Sequence, residues 1–144
     1  MDDVGRGPIG VDTAVFIYFI EEDPRFLRII EPLFRAADRG GCTLVTSALT
    51  LLEVLVVPYR AGNRPLAERY EMLLTQSRGI QIVDISRDQL LAAAQLRAVA
   101  AVKTPDALQL AAALSSACTS FITNDRRLPM VAGLRIRQLD SYAA

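Results

Sequence analysis

Four carboxylates stand where an apolar sequence gives them little ordinary reason to be. From Ile9 to Ile20 the one charged residue is Asp12, and from Gly40 to Tyr59 it is Glu53. From Thr104 to Asn124 it is Asp106, and the next residue along is Asp125. Each acid lies in a window that otherwise reads as core. A buried, unpaired carboxylate is costly unless it is hydrogen-bonded, paired or bound to a metal. Four of them drawn together would be unstable without a cation. Ligation by oxygen alone suits Mg²⁺ or Mn²⁺, which keep several waters and bridge to phosphate. The chain contains no histidine. That removes histidine-based zinc sites, a Ser-His-Asp triad and any imidazole base. It also has no glycine-rich phosphate loop of the P-loop or dinucleotide type.

Taken singly, each acid has a structural explanation. Asp12 ends a strand and can cap the following helix. Asp106 lies in the first turn of a helix, where the macrodipole favours an anion. Asp125 follows Thr123-Asn124 and can open a short helical turn. Glu53 can complete a capping box with Thr50, although it sits deeper in its helix than that role requires. Taken together these explanations weaken. Asp12, Asp106 and Asp125 fall at strand ends or in the helix starts beside them, and Glu53 falls a turn or two past another strand end. In a parallel sheet all four points lie on one rim, the rim where ligands bind.

The elements that must position these acids alternate along the chain. A short strand, Ile9-Gly10-Val11, ends at Asp12, and an apolar helical stretch runs from Val15 to Ile20. A second helix covers residues 25–38, with Gly40-Gly41 as its stop signal. Residues 43–46 read as a buried strand, and Ser47 is a natural N-cap for a helix that Pro58 should end. Asn63 caps the next helix, which runs to Ser77 with Gly79 as its breaker. A strand at 80–85 and a helix at 87–102 follow. Thr104-Pro105 then supplies an N-cap and a first-turn proline for a helix reaching Ala117. Residues 120–123 read as a strand, and the alternating residues 134–139 as a last one at an edge. Strands separated by helices predict an α/β fold: a three-layer α/β/α arrangement around a central, mainly parallel sheet. No repeat or long linker divides the 144 residues, so one domain over residues 1–144 is expected.

Composition bounds the rest. Half of the chain (51%) is apolar and 22% is charged, which describes an ordered globule. No apolar run reaches the roughly 18 residues of a membrane span. The start, Met1-Asp2-Asp3, is acidic where a secretory signal is basic, so a cytoplasmic protein is expected. Cys42 and Cys118 each open an apolar run and read as buried free thiols rather than a disulfide. Sixteen basic and 16 acidic residues cancel, so no global nucleic-acid footprint is visible. Arginine carries all of the basic charge except Lys103, and Arg60/Arg64, Arg126/Arg127 and Arg135/Arg137 offer either local basic rims or plain solvated faces.

Four segments in order resemble the PIN-domain ribonucleases: Val11-Asp12-Thr13-Ala14-Val15-Phe16-Ile17, Thr50-Leu51-Leu52-Glu53, Pro105-Asp106-Ala107-Leu108-Gln109-Leu110-Ala111 and Thr123-Asn124-Asp125. Within that family the chain is similar to the VapC-type toxins of prokaryotic toxin–antitoxin pairs. The resemblance implies a PIN-like, Rossmann-type fold and Mg²⁺- or Mn²⁺-dependent hydrolysis of RNA phosphodiester bonds. It implies that Asp12, Glu53, Asp106 and Asp125 bind the metal, and that Thr123 orients water or substrate. Thr13, Asn124 and Lys103 match more loosely and are auxiliary. The resemblance further implies a homodimer silenced by a cognate antitoxin. The middle helix, 63–77, is divergent territory, so substrate identity does not carry over. Three other readings stay open. A housekeeping RNA-processing nuclease would have no antitoxin, and a non-catalytic domain would bind RNA or a partner without cutting it. A dehalogenase-like phosphatase would need a second Asp two residues after Asp12, where this chain has Ala14.

Overall fold

The computed structural model describes residues 7–142, so the acidic Met1-Asp2-Asp3 lies outside the described residues. Five strands form one sheet: β1 (Pro8–Val11), β2 (Thr43–Ser47), β3 (Ile80–Val83), β4 (Ser120–Thr123) and β5 (Arg135–Gln138). Their order is β3-β2-β1-β4-β5, and every pairing is parallel. The expected α/β class is borne out, and the sheet is wholly rather than mainly parallel. The helices are α1 (Thr13–Ile20), α2 (Leu27–Asp38), α3 (Leu49–Arg60), α4 (Arg64–Gln76), α5 (Arg87–Val99) and α6 (Thr104–Ser115).

Alternation along the central strands builds the three layers. Ile9, Val11, Leu44 and Ile122 face one core with Val15 and Phe16 of α1, Ile30, Leu33, Phe34 and Ala37 of α2, Val54 of α3, and Tyr70 and Leu74 of α4. Val45 and Phe121 face the other, with Ala93 of α5 and Ala107, Leu108, Leu110, Ala111 and Ala113 of α6. The buried positions of α2 recur at the 3- and 4-residue spacing of one helical stripe. The central strands, covered on both sides, are almost wholly buried, as parallel sheets require.

Gly10 sits where this packing is tightest. It pairs with Val45 on one side and Phe121 on the other. A Cβ there would lie 2.6 Å from the Phe121 ring and 2.8 Å from the Ala113 methyl, so only glycine lets α6 settle onto β1. Gly10→Ala is therefore expected to destabilise the fold by about 1–3 kcal/mol through overpacking. A urea melt reads this directly, and an unchanged midpoint would show that the α6–β1 contact is looser than these distances imply.

Several sequence expectations shift. Pro58 does not end α3, which runs on to Arg60. A proline so near the C-terminus removes one helical hydrogen bond, and its buried ring is packed instead. Ser47 belongs to β2, and Ala48 occupies the cap position, although the Ser47 hydroxyl accepts from Leu49 N–H at 3.1 Å. Asn63 caps α4 as expected, accepting from Leu66 N–H at 3.2 Å. Helix α6 starts one residue early, with Lys103 as its cap, because the Thr104 hydroxyl is taken by Arg97 at 2.8 Å. Cys42 and Cys118 are free and buried, and burial pushes the Cys118 thiol up to about 11.

Candidate active site

Asp12 is the first residue past β1, and its backbone N–H still donates to Ile122 of β4 at 3.0 Å. Its carboxylate caps α1 by accepting from Thr13 N–H at 2.8 Å. That much is the ordinary structural role. The other oxygen accepts from the Thr123 hydroxyl at 2.7 Å, and the Thr123 oxygen in turn accepts from Asp125 N–H at 3.0 Å. Thr123 thus ties the ends of β1 and β4 together. Burial raises the Asp12 carboxyl above its usual value, against those two hydrogen bonds, and Glu53 and Asp125 raise it further.

Asp106 tests the helix-start explanation. An acid in the first turn of α6 should be favoured by the macrodipole. Its carboxyl is raised instead, by burial first and then by the charges of Asp12 and Asp125, over the opposing pull of Arg127 and Lys103. Asp125 goes the other way. It accepts from the Arg127 backbone N–H at 2.9 Å and from its Nε at 3.0 Å, and these bonds hold its carboxyl low. Glu53 is not part of a capping box. Thr50 is fully buried and its hydroxyl points into the core, while Glu53 accepts from the Thr13 hydroxyl at 2.7 Å.

The four acids line one cleft of about 520 Å³, with Thr13, Ile17, Tyr18, Pro105, Gln109, Asn124 and Arg127. It opens beyond the carboxyl ends of β1 and β4, where the strand order reverses direction. That is the usual ligand crevice of an open parallel sheet. Among the described residues, no three acids converge closely enough to form a ready ligand set. Asp125 is bonded to Arg127, Glu53 to Thr13 and Asp12 to Thr123 while all three line the cleft. The donor chemistry nonetheless fits a hard divalent cation, because all four side chains offer oxygen and two of them are disfavoured as bare anions. Of the expected basic pairs, only Arg127 reaches this cleft, and Lys103 stands with it beside Asp106.

Beneath the acids lies a polar network that isolated charges in the sequence do not reveal. Gln109 of α6 is buried and bonded to Thr13, Thr46, Ser47 and Thr50. The signal that singled out the acids was available here too, since Gln109 is the one polar residue between Ala107 and Ala113.

The fold and the crevice together define an α/β domain with four carboxylates gathered at the carboxyl end of its parallel sheet. The model of the PIN domain family matches residues 9–134, and the chain belongs to that family. No curated protein matches. Solved structures of similar fold include a toxin–antitoxin complex from Klebsiella pneumoniae, 22% identical with a TM-score of 0.65, the match covering 88% of this chain and 94% of that one. Another is DNA-bound VapBC from Salmonella typhimurium, 22% identical with a TM-score of 0.61 over 94% and 98% of the two chains. A third is VapC20 of Mycobacterium tuberculosis, a toxin that cleaves the sarcin–ricin loop. It is 16% identical with a TM-score of 0.63, over 83% and 91%. At such identities the likeness is one of fold. Among the described residues no helix is long and apolar enough to cross a membrane.

Proposed function

We propose that this chain is a metal-dependent endoribonuclease, one PIN domain over residues 1–144, acting in the cytoplasm as the toxin of a toxin–antitoxin pair. The observation that carries the proposal is the shared cleft, in which burial and neighbouring acids raise the Asp12 and Asp106 carboxyls while Glu53 and Asp125 line the same cleft. Asp12 and Asp106 would hold Mg²⁺ or Mn²⁺, with Glu53 and Asp125 completing the set. When bound, such a cation supplies charge neutralisation at the phosphate and a stronger nucleophile from water. The chain's own residues do the rest. Thr123 keeps Asp12 aimed into the cleft, and Thr13 does the same for Glu53. Arg127 and Lys103 lie beside the acids and would draw the RNA backbone toward a site whose own charge repels it.

The antitoxin part of the proposal draws support from the likeness in fold to toxins of such complexes. A homodimer would cover apolar side chains that α3 leaves outside: Leu52, Val56 and Val57 are 61%, 38% and 65% exposed. Purified protein incubated with a mixed RNA substrate is expected to cleave it with Mn²⁺ and not with chelator. RNA left intact under both conditions would overturn the enzymatic reading. Expression that does not slow growth in a host lacking the antitoxin would overturn the toxin role alone.

A further inference from the structure

We infer that Gln109 is a positioning residue for the acidic cleft, holding Glu53 in place through the Thr13 hydroxyl. The inference rests on the metal-site reading above and adds a residue to it. Gln109 presents both ends of a buried amide to polar partners. Its oxygen accepts from Ser47 N–H at 3.0 Å, and a backbone N–H can only donate, so the amide orientation is fixed. Its nitrogen must therefore point to Thr13 at 3.2 Å and Thr50 at 2.8 Å, with one proton for each.

The hydroxyl protons then have one consistent arrangement. Thr13 receives an amide proton and donates its own to Glu53 at 2.7 Å. Thr50 receives the other and donates to Thr46 at 2.6 Å. Thr46 returns its proton to the Gln109 oxygen at 3.2 Å, which closes a ring. The 3.1 Å approach of Thr13 to Thr50 is left with no proton to share. Every donor is used once, and such closed chains stiffen one another in a medium of low polarity. Thr13 is thus committed to donating outward, and one Glu53 oxygen is pinned while its side chain lines the cleft. The network spans β2, α1, α3 and α6, so it also sets Glu53 relative to Asp106 on α6, the helix that carries Gln109.

A purely structural role predicts lost stability and nothing more. A positioning role predicts weaker metal binding by the protein that remains folded. The test is calorimetric titration of chelator-stripped protein with Mn²⁺, beside thermal melts. Gln109→Leu and Thr13→Val are each expected to weaken Mn²⁺ binding about tenfold, while Thr13→Ser, which keeps the hydroxyl, stays within about threefold of wild type. The double variant should bind no more weakly than the worse single one, since both break the same link. If Gln109→Leu does not fold, Thr13→Val carries the test alone, because Gln109 keeps its bonds to Ser47, Thr46 and Thr50 there. Wild-type Mn²⁺ affinity in folded Gln109→Leu, or in Thr13→Val, whatever their melting temperatures, would overturn the inference and leave the metal site standing. Wild-type protein that binds no Mn²⁺ would overturn both.

Discussion

Asp12→Asn is expected to abolish cleavage and, in chelator, to raise the melting temperature. The two effects have opposite signs for one reason. Asparagine keeps the volume and still caps α1, because its side-chain oxygen can accept from Thr13 N–H as Asp12 does now. What disappears is a negative charge that burial and its acidic neighbours disfavour in the folded protein. The metal-free fold is thereby relieved, while the cleft loses one of the oxygens proposed to hold the metal. Loss of one preorganised electrostatic contact to a transition state costs on the order of a hundred- to a thousandfold in rate, and a lost ligand should reach at least that. Asp106→Asn should behave alike, since its carboxyl is raised for the same causes. Cleavage assays and thermal melts on the same preparations check both. A variant that keeps near-wild-type activity with Mn²⁺ would sink the four-acid site. A variant that is less stable than wild type in chelator would return that acid to a plain cap.

The second large effect is a response of stability to pH that metal reverses. The Asp12 and Asp106 carboxyls are raised in the folded chain above the usual 3.8. As pH climbs from that value, the unfolded chain releases these protons first and the folded chain still holds them. Folding is then linked to proton uptake, so stability falls as pH rises through the raised values. Asp125 and Asp23, held low by Arg127 and Arg25, act in the opposite sense. Their contribution is complete above the usual carboxylate value and is lost as pH falls through their own lowered ones. Metal-free protein should therefore be most stable in mild acid and weaker at neutral pH. Mn²⁺ at 100 times its dissociation constant should restore about 2.7 kcal/mol at neutral pH and much less in acid, where protons compete for the same oxygens. Melts at two pH values, with and without chelator, read this. A melting temperature indifferent to Mn²⁺ at neutral pH would contradict it.

The features that were legible beforehand share a cause. An acid alone in an apolar window cannot be an accident of surface composition, and that isolation marked Asp12, Glu53, Asp106 and Asp125. The alternation of strand and helix likewise follows from periodicity, and the parallel sheet follows from the alternation. What escaped notice depends on how side chains are oriented and paired in three dimensions. Thr50 reads as a capping residue until Thr46 and Gln109 are brought beside it across 4 and 59 positions. Thr104 reads as a cap until Arg97 takes its hydroxyl. Pro58 reads as a stop because local rules count its missing donor and not its buried ring. The opposite behaviour of Asp125 depends on an arginine two residues away whose fork folds back on it. The sequence lists that arginine but does not orient it.

The central position of β1 has a consequence for synthesis. Its neighbour on one side is β2, but on the other it is β4, more than a hundred residues later, paired as Gly10 with Phe121 and Val11 with Ile122. The Thr123 hydroxyl that holds Asp12, and Asp125 itself, arrive with that strand. A nascent chain that has emerged only through α6 already carries Asp12, Glu53 and Asp106, yet has nothing to close the sheet beside them. If the chain cuts RNA, as proposed above, this order of events is protective. On that reading the acidic cleft is complete only after most of the polypeptide has been translated.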